Sequence, residues 1–395
     1  MKSSFLVILF IALIITLLIY NLFKKQPANA ENIDSSLDKA IPLAIEYLSK
    51  STNENGRFVY EASVDTNKKY GSVRYNALRH AGTLYSMYLC EKYLNNNSLQ
   101  QKRYLASEYF VKKYVKEVLP NMYAVVSDMK EEKLDSRQAK LGGTGLALIG
   151  LSNLYPEGKI DLKILRGLGD FAIYMQKPDG SFYSKFLVDT RQKDENFVSL
   201  YYPGEVCLGL LYLNEVDPQK KWVLTAKRAL LYLANSRKDK GKKVPFDHWA
   251  MLATRKLFET PDNSLTAGEK LLLQKHAEQM ANSILDNQIV DSGYNFRGGF
   301  VENVRLCSIG TIMEGLVAIY YCTDDKNLKA RVLNALNLGT DFLSRYQVKE
   351  GEMRGGIPTS AYWRLSNASE SSKVIRIDNV QHVLSAWITY LQIEK

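Results

Sequence analysis

Gly142-Gly143-Thr144-Gly145-Leu146-Ala147-Leu148-Ile149-Gly150-Leu151 decides the fold. It reads as a helix start followed by residues that are apolar on nearly every side, as befits a helix enclosed by other helices. Related starts stand at Tyr75-Asn76-Ala77-Leu78-Arg79-His80-Ala81-Gly82-Thr83, Tyr202-Pro203-Gly204-Glu205, Phe246-Asp247-His248-Trp249, Cys307-Ser308-Ile309-Gly310-Thr311 and Ile377-Asp378-Asn379-Val380-Gln381-His382. Between them lie charged, amphipathic segments near residues 35–50, 101–118, 161–176, 218–236, 266–287 and 326–346, whose apolar positions recur at three and four. The pattern predicts twelve helices that alternate between an inner and an outer layer.

The anchors Gly82, Gly145, Gly204, Trp249, Gly310 and His382 are 63, 59, 45, 61 and 72 residues apart. Such spacing is too irregular for an open solenoid of identical units, and a closed ring needs no polar capping repeats, of which none is visible. The expected fold is therefore all-α, an (α/α)6 toroid or barrel of about six helical hairpins. No Pro/Gly/Ser-rich linker interrupts residues 31–395, so they are read as a single toroid domain.

The segment Arg166-Gly167-Leu168-Gly169-Asp170-Phe171-Ala172-Ile173-Tyr174-Met175-Gln176-Lys177-Pro178-Asp179-Gly180-Ser181-Phe182 resembles the Gln-and-aromatic turn motif of terpenoid cyclases, where an outer helix ends in Gln and a Gly-x-aromatic turn follows. Weaker echoes are Asn55-Gly56-Arg57-Phe58, Asp291-Ser292-Gly293-Tyr294-Asn295-Phe296 and Gly351-Glu352-Met353-Arg354-Gly355-Gly356. The chain also resembles, over residues 35–391 and at the level of architecture, the toroids of six-hairpin glycosidases and polysaccharide lyases. That resemblance implies a carbohydrate-active toroid and carries no active site across. Two cyclase-like relatives are disfavoured: the chain has no Asp-x-Asp-Asp, and Arg305 stands where the zinc set of protein prenyltransferases needs an acid two before Cys307.

Composition shifts sharply at the N-terminus. Phe5 to Tyr20 is unbroken apolar sequence, followed by Asn21-Leu22-Phe23 and Lys24-Lys25. Residues 1–30 are expected to be a signal anchor or signal peptide, with residues 5–23 engaging the membrane. Ala28-Asn29-Ala30 has the small-x-small form of a signal-peptidase site, so the domain is expected outside the cytoplasm, periplasmic or at the cell surface, anchored if uncleaved and secreted if cut after Ala30.

The net charge is +10 over 395 residues, and residues 1–30 contribute three lysines and no acid, leaving +7 on the remainder. An excess of this size on an exported domain suits an acidic polymer or an anionic bilayer as neighbour, and export disfavours nucleic acid. The four cysteines Cys90, Cys207, Cys307 and Cys322 fall in or beside proposed inner helices as small apolar residues. Cys307 and Cys322 would be about 22 Å apart on one helix, beyond disulfide reach. No Cys-x-x-Cys spacing exists, so no metal and no cofactor is expected.

The long loops, 51–75, 119–141, 177–202, 237–246, 288–306 and 347–376, each join an outer segment to the following inner one. One face of the ring therefore carries both the inner-helix N-termini and the long loops, which is where function concentrates on a rigid scaffold. Helix N-termini there also favour anionic groups. The candidate catalytic carboxyls are Glu205 and Asp247, with Asp378 as alternate base and Glu314 a turn deeper; inverting hydrolysis requires an acid and a base carboxyl about 6.5–9.5 Å apart. Asp247 and Asp378 are also good N-cap residues and Glu205 a good first-turn residue.

Candidate substrate-binding residues are Arg79, His80, Tyr201, Tyr202, His248, Trp249, Arg297, Arg305, Arg354 and His382, which supply ring faces for a pyranose and polar groups for its hydroxyls. The sequence thus points to a glycoside hydrolase acting on an envelope or exported, acidic polysaccharide or oligosaccharide. A polysaccharide lyase using Arg79, His80, Tyr201 and His382 is the alternative, since removal of a proton beside a uronate carboxylate needs a cation and a base. A non-catalytic scaffold binding polysaccharide or envelope assembly partners is the third reading.

Overall fold

The computed structural model describes residues 30–65, 69–70, 74–291, 295–300 and 304–393. Six inner helices form a closed ring: α2 (Ala77–Leu94), α4 (Leu141–Leu151), α6 (Tyr202–Val216), α8 (His248–Glu259), α10 (Leu306–Cys322) and α12 (Ile377–Tyr390). Each packs against its neighbours in that order, and α12 closes back on α2. The six outer helices are α1 (Ala30–Ser51), α3 (Gln100–Tyr114), α5 (Leu162–Tyr174), α7 (Lys220–Arg237), α9 (Ala267–Ile284) and α11 (Lys326–Tyr346). The architecture is the (α/α)6 toroid expected from the sequence.

The recurrent glycines are where inner helices touch. A Cβ on Gly145 would lie 2.5 Å from the Glu205 carbonyl carbon of α6, and one on Gly310 would lie 3.0 Å from the His382 carbonyl carbon of α12. Backbone against backbone is the condition for six helices to close around a narrow axis. All eleven residues of α4 are buried, which accounts for its lack of a polar face.

The outer belt is tied by a repeated glutamine clamp. Gln176, just past α5, donates through Nε2 to the Gly180 carbonyl at 3.1 Å and to the Thr225 carbonyl of α7 at 2.9 Å. Gln288, after α9, reaches Gly298 and Ala335 of α11, at 3.2 and 2.9 Å. Gln347, after α11, reaches Gly355 and Ala40 of α1, at 3.2 and 2.9 Å, and so links the two ends of the belt. Gly298 has φ +94° and a Cβ there would sit 2.1 Å from the Leu338 oxygen, so the turn requires glycine on both counts. In the clamp after α9 the glycine is thus Gly298, two before Phe300, and not Gly293, which lies outside the described residues.

Short strands decorate the long-loop face, a departure from an all-helical expectation. β1 (Glu61–Ser63) pairs with β2 (Lys69–Tyr70) and β8 (Val374–Arg376). β3 (Val115–Leu119) and β4 (Met122–Val125) form a hairpin over Pro120-Asn121, and Asn121 takes the left-handed φ of +58° that such a turn needs. This hairpin replaces the end of the helix expected at 101–118. β5 (Gln138–Lys140), β6 (Lys185–Leu187) and β7 (Gln192–Lys193) form a third sheet.

The apolar segment Phe5–Tyr20 lies outside the described residues. Among the described residues no helix is long and apolar enough to cross a membrane.

Candidate active site

The inner-helix N-termini bring a cluster of ionisable side chains to the centre of the long-loop face. His382, in the second turn of α12, shares a hydrogen bond of 2.8 Å through Nδ1 with Glu314 Oε2 of α10. His248, first residue of α8, faces His382 with ring centroids 5.6 Å apart and planes at 78°. Trp249 closes one side, 6.1 Å from the His382 ring, and Tyr201 another, 5.4 Å from the His248 ring. Tyr201 is 42% exposed.

Several polar atoms here are buried without a hydrogen-bond partner among the described residues: His248 Nε2, Glu314 Oε1 and Glu205 Oε2. Leaving such atoms unpaired costs about 1–3 kcal/mol each, so they mark places where structure has yielded to another requirement. Burial, reinforced by the neighbouring Asp247 charge, pushes the Glu205 carboxyl up to about 8. Burial also raises Glu314, against the opposing pull of His382. Burial and the charge of His382 hold His248 well below the usual imidazole range, so it is neutral at physiological pH.

The other two carboxyls of the sequence reading are fully engaged. Asp247 has no exposure; its Oδ1 caps α8 by accepting from Ala250 N at 3.1 Å and its Oδ2 accepts from Arg237 Nη2 at 2.9 Å. Burial raises it although Arg237 pulls the other way. Asp378 accepts from Arg79 Nε at 2.8 Å and from both Nε and Nη2 of Arg376, the latter at 2.8 Å. Burial alone would raise Asp378, but the Arg376 hydrogen bonds and the Arg79 charge outweigh it and hold the carboxyl below the usual range. Arg79 is held in turn by Tyr60.

The remaining candidates divide by position. Tyr202 lies half-buried beside Glu205, where both crowd the space over Gly142. His80 has no exposure and packs on the outer helix α3, with Tyr75 Oη 2.7 Å from Nδ1 and the Ala106 carbonyl 2.9 Å from Nε2, so neither ring nitrogen is left for a ligand. Arg354 pairs with Glu46 of α1 on the outer belt at 2.6 Å. Arg297 sits in the clamp turn after α9, where its carbonyl accepts from Arg345. Arg305 is exposed immediately before α10.

Arg376 and Tyr60 escaped the sequence reading, although an Arg two residues before Asp378 was a usable signal. Glu314, named from the sequence a turn deeper than the other carboxyls, is the one that reaches His382. His248, Glu314 and His382 each offer one donor atom, all within 4.8 Å of one another, so the three could hold a metal. A cleft of about 920 Å³ lies on the opposite face between the α6–α7 and α8–α9 connections and is lined by Asn214, Lys220, Lys256 and Glu259. It contains none of these histidines.

No protein-family profile matches the chain, and no curated protein matches its sequence. Solved structures do match its fold. A cellobiose 2-epimerase from Bacillus thermoamylovorans B4167 superposes with TM-score 0.65 at 14% identity, covering 89% of this chain and 98% of that one. A D-mannose isomerase gives 0.61 at 12% identity, covering 91% and 97%. An inactive variant of an α-1,6-mannanase from Salegentibacter sp. HEL1_6, in complex with α-1,6-mannotetrose, gives 0.60 at 10% identity, covering 90% and 98%. The resemblance to six-hairpin glycosidase-like toroids holds at the level of fold.

Proposed function

We propose that this chain is a carbohydrate-active enzyme that moves a proton at a sugar carbon, epimerising or isomerising the reducing end of a saccharide. The observation that carries this reading is the pair of imidazoles at the ring centre, His248 and His382, 5.6 Å apart with Glu314 hydrogen-bonded to one of them. In the ring-opened sugar the proton on the carbon beside the carbonyl is acidic enough for a neutral imidazole to remove. One histidine takes that proton while an acid protonates the carbonyl oxygen, giving an enediol. The second histidine then delivers a proton to the opposite face, inverting the centre, or to the neighbouring carbon, moving the carbonyl, and the deprotonated acid takes the hydroxyl proton from the enediol oxygen on which the carbonyl re-forms.

Glu314 suits the role of orienting His382 and stabilising its charged form. Glu205, protonated up to about pH 8, suits the role of oxygen-side acid. Asp247 and Asp378 act as scaffolding in this reading: the first caps α8 and so places His248, the second fixes Arg79 and Arg376 at the mouth. Sugar epimerases and a sugar isomerase among the structural neighbours support the choice of chemistry.

The test is incubation of the purified domain with a panel of reducing mono- and disaccharides in D2O, followed by NMR. Interconversion at C2, or conversion to the ketose, with deuterium in the product is the expected result. No exchange across the panel would sink the proposal.

Hydrolysis is a second reading, favoured by the buried, protonated Glu205 as leaving-group acid. It predicts new reducing ends from an envelope polysaccharide, lost in Glu205→Gln. The positive charge of Arg79 and Arg376 at the mouth suits an acidic saccharide under either reading. We place the domain outside the cytoplasm on the strength of Phe5–Tyr20 and Ala28-Asn29-Ala30.

A further inference from the structure

We propose that His248, Glu314 and His382 bind one divalent first-row transition ion, and that the ion and the proton relay exclude each other. The trio is a two-histidine, one-carboxylate set gathered from three inner helices, so no local spacing in the sequence announces it. Its donor atoms lie within 4.8 Å of one another. Bonds of about 2.0–2.2 Å to zinc place tetrahedral donors about 3.3–3.6 Å apart, a contraction that small imidazole rotations supply.

Two observations independent of that spacing point the same way. His248 Nε2 and Glu314 Oε1 have no hydrogen-bond partner among the described residues, and the two residues are 4% and 1% exposed. An ion would satisfy both atoms and the charge of a carboxylate otherwise supported by His382 and the Ser385 hydroxyl. The second is the close approach of α8 and α10. A Cβ on Gly315, next to Glu314, would meet Phe246 Cζ at 2.6 Å and His248 Cβ at 3.1 Å. Glycine at that position is what leaves room for the Phe246 ring and the His248 side chain against α10.

Tyr201 faces the His248 ring from the turn leading into α6 and Trp249 packs on it from α8, while Asp378 of α12 is paired with both Arg79 and Arg376. Gln381 Nε2 lies 3.2 Å from His382 Nδ1 and gives that ring a partner that also restrains its orientation. Three protein ligands leave a coordination position for water or a sugar hydroxyl, as in catalytic rather than structural sites.

The site goes beyond the proton-transfer reading; only the exclusion rests on that reading. Chelator-stripped protein is titrated with Zn2+ by calorimetry and with Co2+ by visible absorption. One ion per chain is expected, with affinity falling at least about tenfold in His248→Gln and in Glu314→Gln, while His276→Gln, which changes another buried histidine, retains it. No binding, or equal binding in the variants, overturns the site.

Should a variant fail to fold, the Zn2+-dependent rise in wild-type Tm, expected from binding to the native state alone, decides in its place; a flat Tm overturns the site. Isotope exchange measured across the same titration should fall in proportion to occupancy, and full exchange at saturation overturns the exclusion. Tight binding by a protein that shows no exchange even without metal would sink proton transfer and leave the site standing.

Discussion

Two buried polar clusters in this toroid are built from similar residues and behave oppositely. Arg103 of α3, with no exposure, donates to both Glu91 oxygens at 2.7 Å, to Glu157 at 3.0 Å and to Asn153. Every nitrogen of that guanidinium has a partner, and the cluster ties α2 and α3 to the α4–α5 connection. At the ring centre, by contrast, Glu205, His248 and Glu314 each keep an unpartnered atom. A satisfied network rigidifies and an unsatisfied one waits for a ligand. Unpartnered atoms occur elsewhere too, as at His276, so what sets the ring centre apart is that they gather around the facing His248 and His382 rings.

That contrast breaks most visibly under substitution of the histidines. His382→Asn should lower turnover by on the order of a hundred- to ten-thousand-fold with a much smaller loss of stability than Arg103→Met, because the Glu314 carboxyl it leaves is raised by burial and can take up a proton, as steady-state kinetics and calorimetry would register. Arg103→Met should do the reverse. It strands Glu91 and costs about 3–5 kcal/mol in denaturant unfolding, while specific activity of the folded fraction stays at wild type. A large activity loss in Arg103→Met, or a large stability loss in His382→Asn, would erase the distinction.

Glu205 sharpens the comparison through pH. Its carboxyl is raised in the fold to about 8. The associated stability is fully present below the unfolded carboxyl value and is lost as pH rises through the folded one. Glu205→Gln should therefore raise Tm by several degrees near pH 8 relative to wild type and much less near pH 5. Asp378 has the opposite sign, because its folded carboxyl is depressed. Its contribution is present above the unfolded carboxyl value and disappears as pH falls through the depressed one, so Arg376→Met should remove part of the acid-side decline in Tm. The smallest effect expected is Gln347→Ala, which removes two neutral hydrogen bonds from the clamp joining α11 to α1, about 1–3 kcal/mol by chemical denaturation.

Much of the ring was legible in the chain because close packing writes itself into residues. Inner helices need glycine where backbones touch and apolar residues all round, so Gly145 and Gly310 announced them. The long-loop face followed from loop lengths. The strands were not legible, since they run two to five residues and pair across great separations, as Glu61 does with Arg376.

The site was half legible. His80, His248 and His382 all stand near inner-helix starts, yet His80 turns to the outer layer and the other two to the axis. That outcome depends on helix register to within one residue. The same limit hid the engagement of Asp247 and Asp378, because Arg237 and Arg79 approach from other helices.

The central claim, that two histidines exchange a proton with a sugar carbon across the ring axis, is tested most directly by NMR of the wild type and of His248→Asn and His382→Asn in D2O. Wild type is expected to give product labelled at the reacting carbon while unconverted sugar stays largely unlabelled, and neither variant is expected to interconvert the two sugars. Interconversion at wild-type rate in both variants, or in product that carries no deuterium, would contradict it.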